Sequence, residues 1–354
     1  MHHKLLIRAL FRLQTTFLAI LLFSACSSVI PSAEKLSRYE FTQAEMGLPF
    51  RIVLYAPDQL SAETASLAVF ERIKQLNDIM SDYEADSELS RLSRTSGGGR
   101  AVKVSDDLWR VLFRAQSLAR QSGGAFDVTV GPVVNLWRKA RREKAMPDPA
   151  LLSQARAAVG YEFVKLDSKK RTAELTRPGM RLDLGAIAKG YAVDEALKVL
   201  RERGINRALV SGGGDMAAGA PPPGKKGWRI ALAPLDVPNP PPARYVLLSH
   251  HGLATSGDVF QHLEINGRRF SHIVDPRTGV GLTDHSLVTV IARDCMTADG
   301  LATTVSVLGP VDGLKLIEKT PETAARITRK PDETIEVVES KQFKDFYDEP
   351  QTGR

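Results

Sequence analysis

Two sets of residues in this sequence have the types and spacing that a reaction could use. His272 lies in the segment SHIVDPRTG (271–279), beside a short β-branched run and an Asp-Pro turn signal. A histidine titrates near neutral pH and can accept a proton, although a lone histidine at a strand end is more often structural. Asp299 and Thr303 are four residues apart and would share one face of a helix. Their oxygens suit Mg²⁺, although capping of a helix start is the simpler explanation in isolation.

Two glycine-containing segments offer further contacts for a ligand. DLGAIAKGY (183–191) places Asp183 just before a predicted helix and Lys189 in its first turn. Free amides at a helix N-terminus attract phosphate, so this segment is either a phosphate site or simply a capped amphipathic helix. SGGGD (211–215) runs into a proline-rich stretch at 220–223, which leaves no room for the helix of a Rossmann dinucleotide site. Its glycines indicate a tight loop with close backbone approach, or a purely structural turn.

The elements that must position these segments mix helices and strands without regular alternation, and neither a linker nor an internal repeat separates them. This pattern favours one α+β domain over a doubly wound sheet. The periodicity predicts strands over 50–55, 208–210, 228–233, 245–248 and 287–292, and helices that begin at a Ser61 cap, at a Ser105 cap and at about Ala186.

The N-terminus has the layout of an export signal. A basic start precedes a short apolar run at 17–23, and small residues then lead to Cys26. This order predicts a bacterial lipoprotein that is cleaved and diacylated at Cys26; the alternative is an ordinary secretory signal cut near Ala25. We therefore divide the chain into a signal peptide, a polar tether, one domain and a C-terminal tail, at 1–25, 26–37, 38–345 and 346–354.

Composition excludes several other classes of protein. The chain has 354 residues, two cysteines and a formal net charge of +7. With Cys26 acylated, Cys295 has no disulfide partner, and no Cys/His spacing typical of zinc occurs. The basic runs at 138–142 and 169–171 lack interleaved aromatics, so they indicate solvated faces, and we expect no nucleic-acid partner.

Eight segments, taken in order, closely resemble the motifs of the ApbE family, the FAD:protein FMN transferases. They are Met46-Gly47, MSDYEADSELSRL (80–92), GAFDVTVGPVVNLW (124–137), DLGAIAKGYAVDEAL (183–197), SGGGD (211–215), ATSGD (254–258), SHIVDPRTG (271–279) and ADGLATT (298–304). The chain departs from the family pattern at Arg138-Lys139, where glycine and an aromatic are usual, and at Val259 and Gly281.

The resemblance implies a fold and a set of site residues. The fold would be a single α+β domain with a mixed or antiparallel sheet, packed helices and an FAD cleft between two sub-lobes. His272 would be the catalytic proton acceptor, and Mg²⁺ would be held by the Ala186 carbonyl, Asp299 and Thr303. The flavin contacts would be Met46, Tyr83, Ala125, Phe126, Asp127, Asp183, Lys189 and Val274.

The resemblance also implies an activity and a location. FMN would pass from FAD to a Thr or Ser hydroxyl of an acceptor protein, such as a subunit of a membrane redox complex, and AMP would leave. Two alternatives stay open: an FAD pyrophosphatase that releases FMN and AMP, and a flavin-binding lipoprotein without catalysis. We expect a lipid-anchored protein on the periplasmic side of a bacterial membrane, with the inner membrane favoured over the outer one.

Overall fold

An eight-stranded sheet forms the centre of the fold in the computed structural model, which describes residues 35–235, 244–258, 261–332 and 334–348. The strand order is β1-β2-β6-β7-β10-β15-β16-β17, and every neighbouring pair is antiparallel. The expected α+β class is therefore confirmed, with an antiparallel main sheet. Cys26, the signal peptide and nearly all of the tether lie outside the described residues.

The smaller sheets are a three-stranded sheet, β3-β5-β4, and the hairpins β8–β9, β11–β12 and β13–β14. In chain order the strands are β1 (Ser37–Glu45), β2 (Leu48–Ala56), β3 (Val102–Lys103), β4 (Val164–Asp167), β5 (Thr172–Leu175), β6 (Ala208–Gly212), β7 (Asp215–Ala218), β8 (Trp228–Ala231), β9 (Tyr245–Leu248), β10 (Gly252–Gly257), β11 (His262–Ile265), β12 (Arg268–Ser271), β13 (Val274–Asp275), β14 (Val280–Gly281), β15 (Ser286–Ala292), β16 (Ala324–Arg329) and β17 (Glu336–Glu339). The helices of the described chain are α1 (Gln59–Met80), α2 (Glu88–Ser93), α3 (Asp106–Gln121), α4 (Gly131–Glu143), α5 (Pro149–Ala157), α6 (Ala188–Glu202) and α7 (Cys295–Lys319).

The main sheet is buried on both faces. In β2, Phe50, Ile52 and Leu54 alternate along one face and join the large core beneath the helices. Val53 points to the other face, where it packs with Trp228 and with residues of β9 and of the C-terminal segment. The two-sided burial accounts for the near-continuous apolar run of this strand.

The three predicted helices are all present, and two of them start at a residue other than the predicted one. The spacing of the buried residues in α1 is as predicted, but its N-cap is Asp58, not Ser61: the Asp58 carboxylate accepts a hydrogen bond of 2.8 Å from the Ser61 amide. Ser105 caps α3 as predicted, through the Leu108 amide. The predicted start of α6 near Ala186 is two residues early, because α6 begins at Ala188.

Among the described residues, α7 alone has the length and hydropathy of a membrane-spanning helix. Its N-terminal half packs in the main core against β10, β15 and α6. Gly309 has a φ of +74° and Pro310 follows it, so the helix is kinked there. The apolar composition of α7 therefore reflects burial within the domain.

The described chain stays packed on the domain past residue 345. A short 3₁₀ turn covers Phe343–Phe346, and the Asp348 amide donates to the Tyr245 carbonyl at 2.9 Å. The Asp348 carboxylate also accepts from Arg229 at 2.6 Å. The first three residues of the predicted tail thus contact β8 and β9.

Candidate active site

Three charged side chains from distant parts of the chain meet at the N-terminal ends of α6 and α7. Lys189 Nζ lies 2.7 Å from an Asp215 oxygen and 3.3 and 3.4 Å from the two Asp299 oxygens. Asp215 is 1% exposed and Asp299 is 4% exposed. Lys189 and Asp299 were predicted from the sequence as ligand and metal contacts; Asp215, the last residue of the SGGGD segment, was not.

The charges of this cluster shift one another's pKa values. Burial raises the pKa of Asp215 to about 7, and repulsion from Asp299 adds to the shift while Lys189 opposes it. Burial also disfavours the charged form of Lys189, but the attraction of the two carboxylates more than offsets this and raises its pKa. Lys189 therefore stays protonated, and the cluster holds one fixed cation between two acidic groups.

Local backbone geometry brings the cluster together. Gly213 and Gly214, with φ values of +60° and +95°, make the two-residue turn that joins β6 to β7 and places Asp215 at its end. The Gly190 amide donates to Asp299 at 3.1 Å. A Cβ on Gly190 would lie 2.4 Å from the Cys295 carbonyl oxygen, so glycine is what lets α6 and α7 approach this closely.

The predicted metal ligands supply oxygen donors only. Thr303 follows Asp299 by one turn of α7, and its hydroxyl lies 3.4 Å from that of Ser256 in the ATSGD segment. Ala186 lies in the turn before α6. No group of three or more His, Cys, Asp or Glu side chains arranged to hold a metal occurs in the described ranges. One carboxylate with hydroxyl and carbonyl oxygens nevertheless fits Mg²⁺, which keeps waters and shares phosphate oxygens.

A second ionic group surrounds the predicted flavin contacts Asp183 and Tyr83. Arg138 donates to Asp183 at 2.8 Å and to Asp82, and its guanidinium lies 4.4 Å from the centre of the Tyr83 ring. Tyr83 is 76% exposed. Burial raises the pKa of Asp183, and nearby Asp82 raises it further while Arg138 opposes the shift. Neither Arg138 nor Asp82 was predicted as a site residue, because no local pattern in the sequence links two residues so far apart.

His272 is partly buried at the end of the β11–β12 hairpin. Its amide and its ring Nδ1 both reach the Gln261 carbonyl oxygen, at 3.0 and 3.1 Å. A carbonyl can only accept, so Nδ1 is the donor and Nε2 of the neutral ring keeps its lone pair. Burial lowers the pKa of His272, and the positive charges of Arg141 and Lys189 act in the same direction. The ring is therefore neutral at pH 7, as a proton acceptor must be.

The hairpin that carries His272 is fixed by Asp258, the last residue of the ATSGD segment, which is 2% exposed. Its carboxylate accepts from Arg269 of β12 and lies 2.8 Å from His285 Nδ1, just before β15. Its carbonyl accepts from Arg269 at 2.8 Å and from His262 of β11 at 3.1 Å. Asp258 thus ties the hairpin to the main sheet, a role that the sequence reasoning did not assign.

The remaining predicted flavin contacts are mostly buried. The side chains of Ala125, Phe126 and Val274 lie in hydrophobic clusters. Met46 has a φ of +50° in the β1–β2 turn. Leu48, which ends this turn, lies against Gly213. The aliphatic part of the Lys189 side chain also lies against Gly213. The β1–β2 turn therefore borders the charged cluster.

Asp127 faces a cavity of its own. Its carboxylate accepts from the Thr129 amide at 2.8 Å and the Thr129 hydroxyl at 2.7 Å, and burial raises its pKa to about 6. The cavity has a volume of about 520 Å³ and is also lined by Arg156, Tyr161 and Arg277. Asp127 is the one predicted flavin contact among its described lining residues. The structure therefore does not bring the Asp127 side chain into the Lys189–Asp215–Asp299 cluster.

Comparison with known proteins gives a consistent result. The sequence model described as the ApbE family matches residues 46–327. The chain is 37% identical over 253 residues to the FAD:protein FMN transferase of Haemophilus influenzae, covering 70% of this chain and 73% of the relative. It is 32% identical over 305 residues to the Vibrio cholerae enzyme of the same name, covering 85% and 90%.

Solved structures agree with this. The flavin transferase ApbE from Vibrio cholerae superposes with a TM-score of 0.80 at 31% identity, over 88% of this chain and 100% of that one. The apo flavinyl transferase ApbE of Pseudomonas stutzeri superposes with a TM-score of 0.79 at 29% identity, over 89% and 98%. With motifs, fold and relatives in agreement along nearly the whole domain, the chain belongs to the ApbE family.

Proposed function

We propose that this protein is an FAD:protein FMN transferase that moves FMN from FAD to a Thr or Ser hydroxyl of an acceptor protein and releases AMP. The observation that carries the proposal is the contact of Lys189 with the buried carboxylate Asp299, together with a His272 ring whose Nδ1 donates to the Gln261 carbonyl and leaves Nε2 able to accept a proton. The family relatives named above, called FAD:protein FMN transferases, support the same activity.

Each residue of the site would have a separate role in the reaction. Phosphoryl-type transfer depends mainly on positioning and on neutralising charge, with a base that orients the attacking hydroxyl. His272 Nε2 accepts the proton of that hydroxyl, and the Gln261 carbonyl holds the ring in the required tautomer. Lys189 offsets the charge of the leaving phosphate. Asp299, Thr303 and the Ala186 carbonyl would hold Mg²⁺, which supplies further charge neutralisation at the pyrophosphate when bound.

FAD would be held along the surface that joins the two ionic groups. Tyr83 offers an exposed ring for stacking, and Asp183 offers an acceptor for a ligand N–H. Lys189 and the backbone at Met46, Ala125, Phe126, Asp127 and Val274 complete the proposed contacts. A carrier that only binds flavin has little use for a base beside a cation site, so catalysis is the better explanation of this arrangement.

We further propose that Cys26 is the lipid-modified N-terminus of the mature protein and that the domain faces the periplasm from a bacterial membrane. The support is the order of basic residues, apolar run and small residues before Cys26. Two acyl chains suffice for stable anchoring. The acceptor would then be an exported protein or a periplasmic face of a membrane protein.

The activity is tested by incubating the purified full-length protein with FAD and Mg²⁺, with an acceptor protein, with its Thr→Ala variant, and alone. We expect AMP and covalently bound flavin in equal amounts, and only with the intact acceptor. AMP released at the same rate without acceptor would identify a pyrophosphatase instead. FAD binding with no AMP under any condition would identify a carrier.

Asp299→Ala should abolish AMP release at millimolar Mg²⁺, because it removes the one carboxylate of the proposed metal site. FAD binding should persist, since the ring contacts lie elsewhere. Asp312→Ala, on an exposed face of the same helix, is the matched control and should keep wild-type activity. Wild-type AMP release by Asp299→Ala at low Mg²⁺ would contradict the metal assignment.

His272→Asn should lower kcat by roughly 10²- to 10⁴-fold, the usual contribution of a general base, with FAD affinity and melting temperature nearly unchanged. Because burial and the charges of Arg141 and Lys189 outweigh the hydrogen bond to the Gln261 carbonyl and the charge of Asp258, the pKa of His272 is lowered. Wild-type kcat should therefore rise with pH below about 6.5 and level off by neutrality. The exposed His250, changed to Asn, is the control. A lower melting temperature with near-normal kcat would mark His272 as structural.

Cys26→Ser should stop incorporation of labelled palmitate and leave the precursor uncleaved, because the lipoprotein peptidase acts on the acylated cysteine. Cys295→Ala should leave labelling unchanged, since Cys295 is buried in the domain core. The readouts are labelling in cells and the mass of the mature N-terminus. A free thiol at Cys26 in the mature protein would rule out the anchor.

A further inference from the structure

Arg141 in α4 has a buried guanidinium nitrogen, Nη1, with no hydrogen-bond partner among the described residues. Two other buried side-chain atoms of the described chain share this property, Trp109 Nε1 and Arg329 Nε. The Arg329 guanidinium is nevertheless paired with Asp284 at 3.1 Å, and Trp109 is neutral. Arg141 differs from Trp109 because it is charged, and from Arg329 because no ion pair involves it within the described ranges. Burying a charged donor without an acceptor costs free energy.

The position of Arg141 in α4 is defined by its neighbours. Trp137 and Ala140 pack with Phe270 of the hairpin that leads to His272, with the Trp137 and Phe270 ring centres 5.4 Å apart. Arg138, one turn before Arg141, forms ion pairs with Asp82 and Asp183. Arg141 follows Arg138 by three residues and Trp137 by four, so it lies on the same part of the α4 surface as these two residues.

Electrostatic interactions agree with this placement. Burial lowers the pKa of Arg141, and the cations Arg138 and Arg142 act in the same direction while Tyr83 opposes them. A guanidinium remains charged through such a shift. Asp82 and Asp183, the carboxylates beside Arg138, are both occupied by that residue. Among the described residues Arg141 is thus a cation beside cations, with a buried donor that an anionic ligand would satisfy.

We propose that Arg141 binds a phosphate oxygen of FAD next to the bond that is broken. A guanidinium matches the geometry of phosphate oxygens, with two parallel N–H donors. Its Nη1 is fully buried rather than on a rim, which favours a small substrate over a side chain of the acceptor. This proposal rests on the proposed function. It assigns a role in that function to a residue of α4, in the stretch where the sequence departs from the family pattern.

Arg141 would act together with Lys189, since both positive charges influence the His272 ring. A phosphate that contacts both cations would therefore lie near His272. The hydroxyl that gives its proton to Nε2 would then face the same phosphorus. The hydroxyl oxygen would form a bond to the FMN phosphorus while the P–O bond of the pyrophosphate breaks and AMP leaves with its electron pair. Arg141 would neutralise the non-bridging oxygens during this exchange, and the hydroxyl proton would pass to His272.

The test measures binding of FAD, FMN and riboflavin to the full-length protein in Mg²⁺, by flavin fluorescence. Riboflavin lacks phosphate, so it separates phosphate recognition from ring binding. Arg141→Gln should weaken FAD and FMN roughly 10- to 100-fold, the value of a charge-assisted hydrogen bond, and leave riboflavin unchanged. Arg141→Lys should recover part of the loss. Arg142→Gln removes the same charge from an exposed neighbour and should change FAD affinity less than about twofold.

Other results would overturn the proposal. Unchanged FAD affinity with a raised KM for the acceptor protein would assign Arg141 to acceptor binding. An equal loss for riboflavin and FAD, with a lower melting temperature, would make it structural. If the wild-type protein bound FAD no more tightly than riboflavin, the proposed function itself would fail, which is distinct from a failure confined to Arg141.

Discussion

The site depends on the burial of one carboxylate. Asp299 is almost completely withdrawn from water, and a buried carboxylate must be matched by positive charge or by N–H donors. Both the positive charge and the N–H donor come from α6: they are the ammonium of Lys189 and the amide of Gly190. These contacts require α6 and α7 to cross closely, which the absence of a side chain on Gly190 permits. Asp194 strengthens the crossing, since its carboxylate caps the first amides of α7 at 2.9 and 2.8 Å.

The proposed base, His272, is held by a separate anchor. His272 belongs to a two-stranded hairpin, and such a hairpin is marginally stable alone. Asp258 ties it to the main sheet with a buried charge, and the packing of Trp137 against Phe270 fixes its other side. The Gln261 carbonyl then sets the ring tautomer. The proposed base and the Lys189–Asp215–Asp299 cluster are thereby supported by separate parts of the fold, each with its own buried interactions.

The charges around the site are not all matched within the described chain. Lys189, Arg138 and Arg141 approach the site from α6 and α4, while four nearby carboxylates, Asp82, Asp183, Asp215 and Asp299, are paired with Lys189 and Arg138. The unmatched cation is Arg141. In a low-dielectric site such a cation attracts a pyrophosphate strongly, which is consistent with chemistry that depends on positioning and charge neutralisation.

The sequence by itself determined the local features of this protein: the periodicity of α1, the Ser105 cap, the glycine turn before Asp215, and the shared helix of Asp299 and Thr303. These follow from interactions within a few residues. Even so, the cap of α1 was misplaced, because Asp58 and Ser61 are both good caps and bond to each other. Only the tertiary structure decided which charges meet. Lys189 pairs with groups 26 and 110 residues away, and Arg138 with groups 56 and 45 away. No periodicity encodes such pairs, since they depend on which helix and strand ends the buried core brings together and on how much water it excludes.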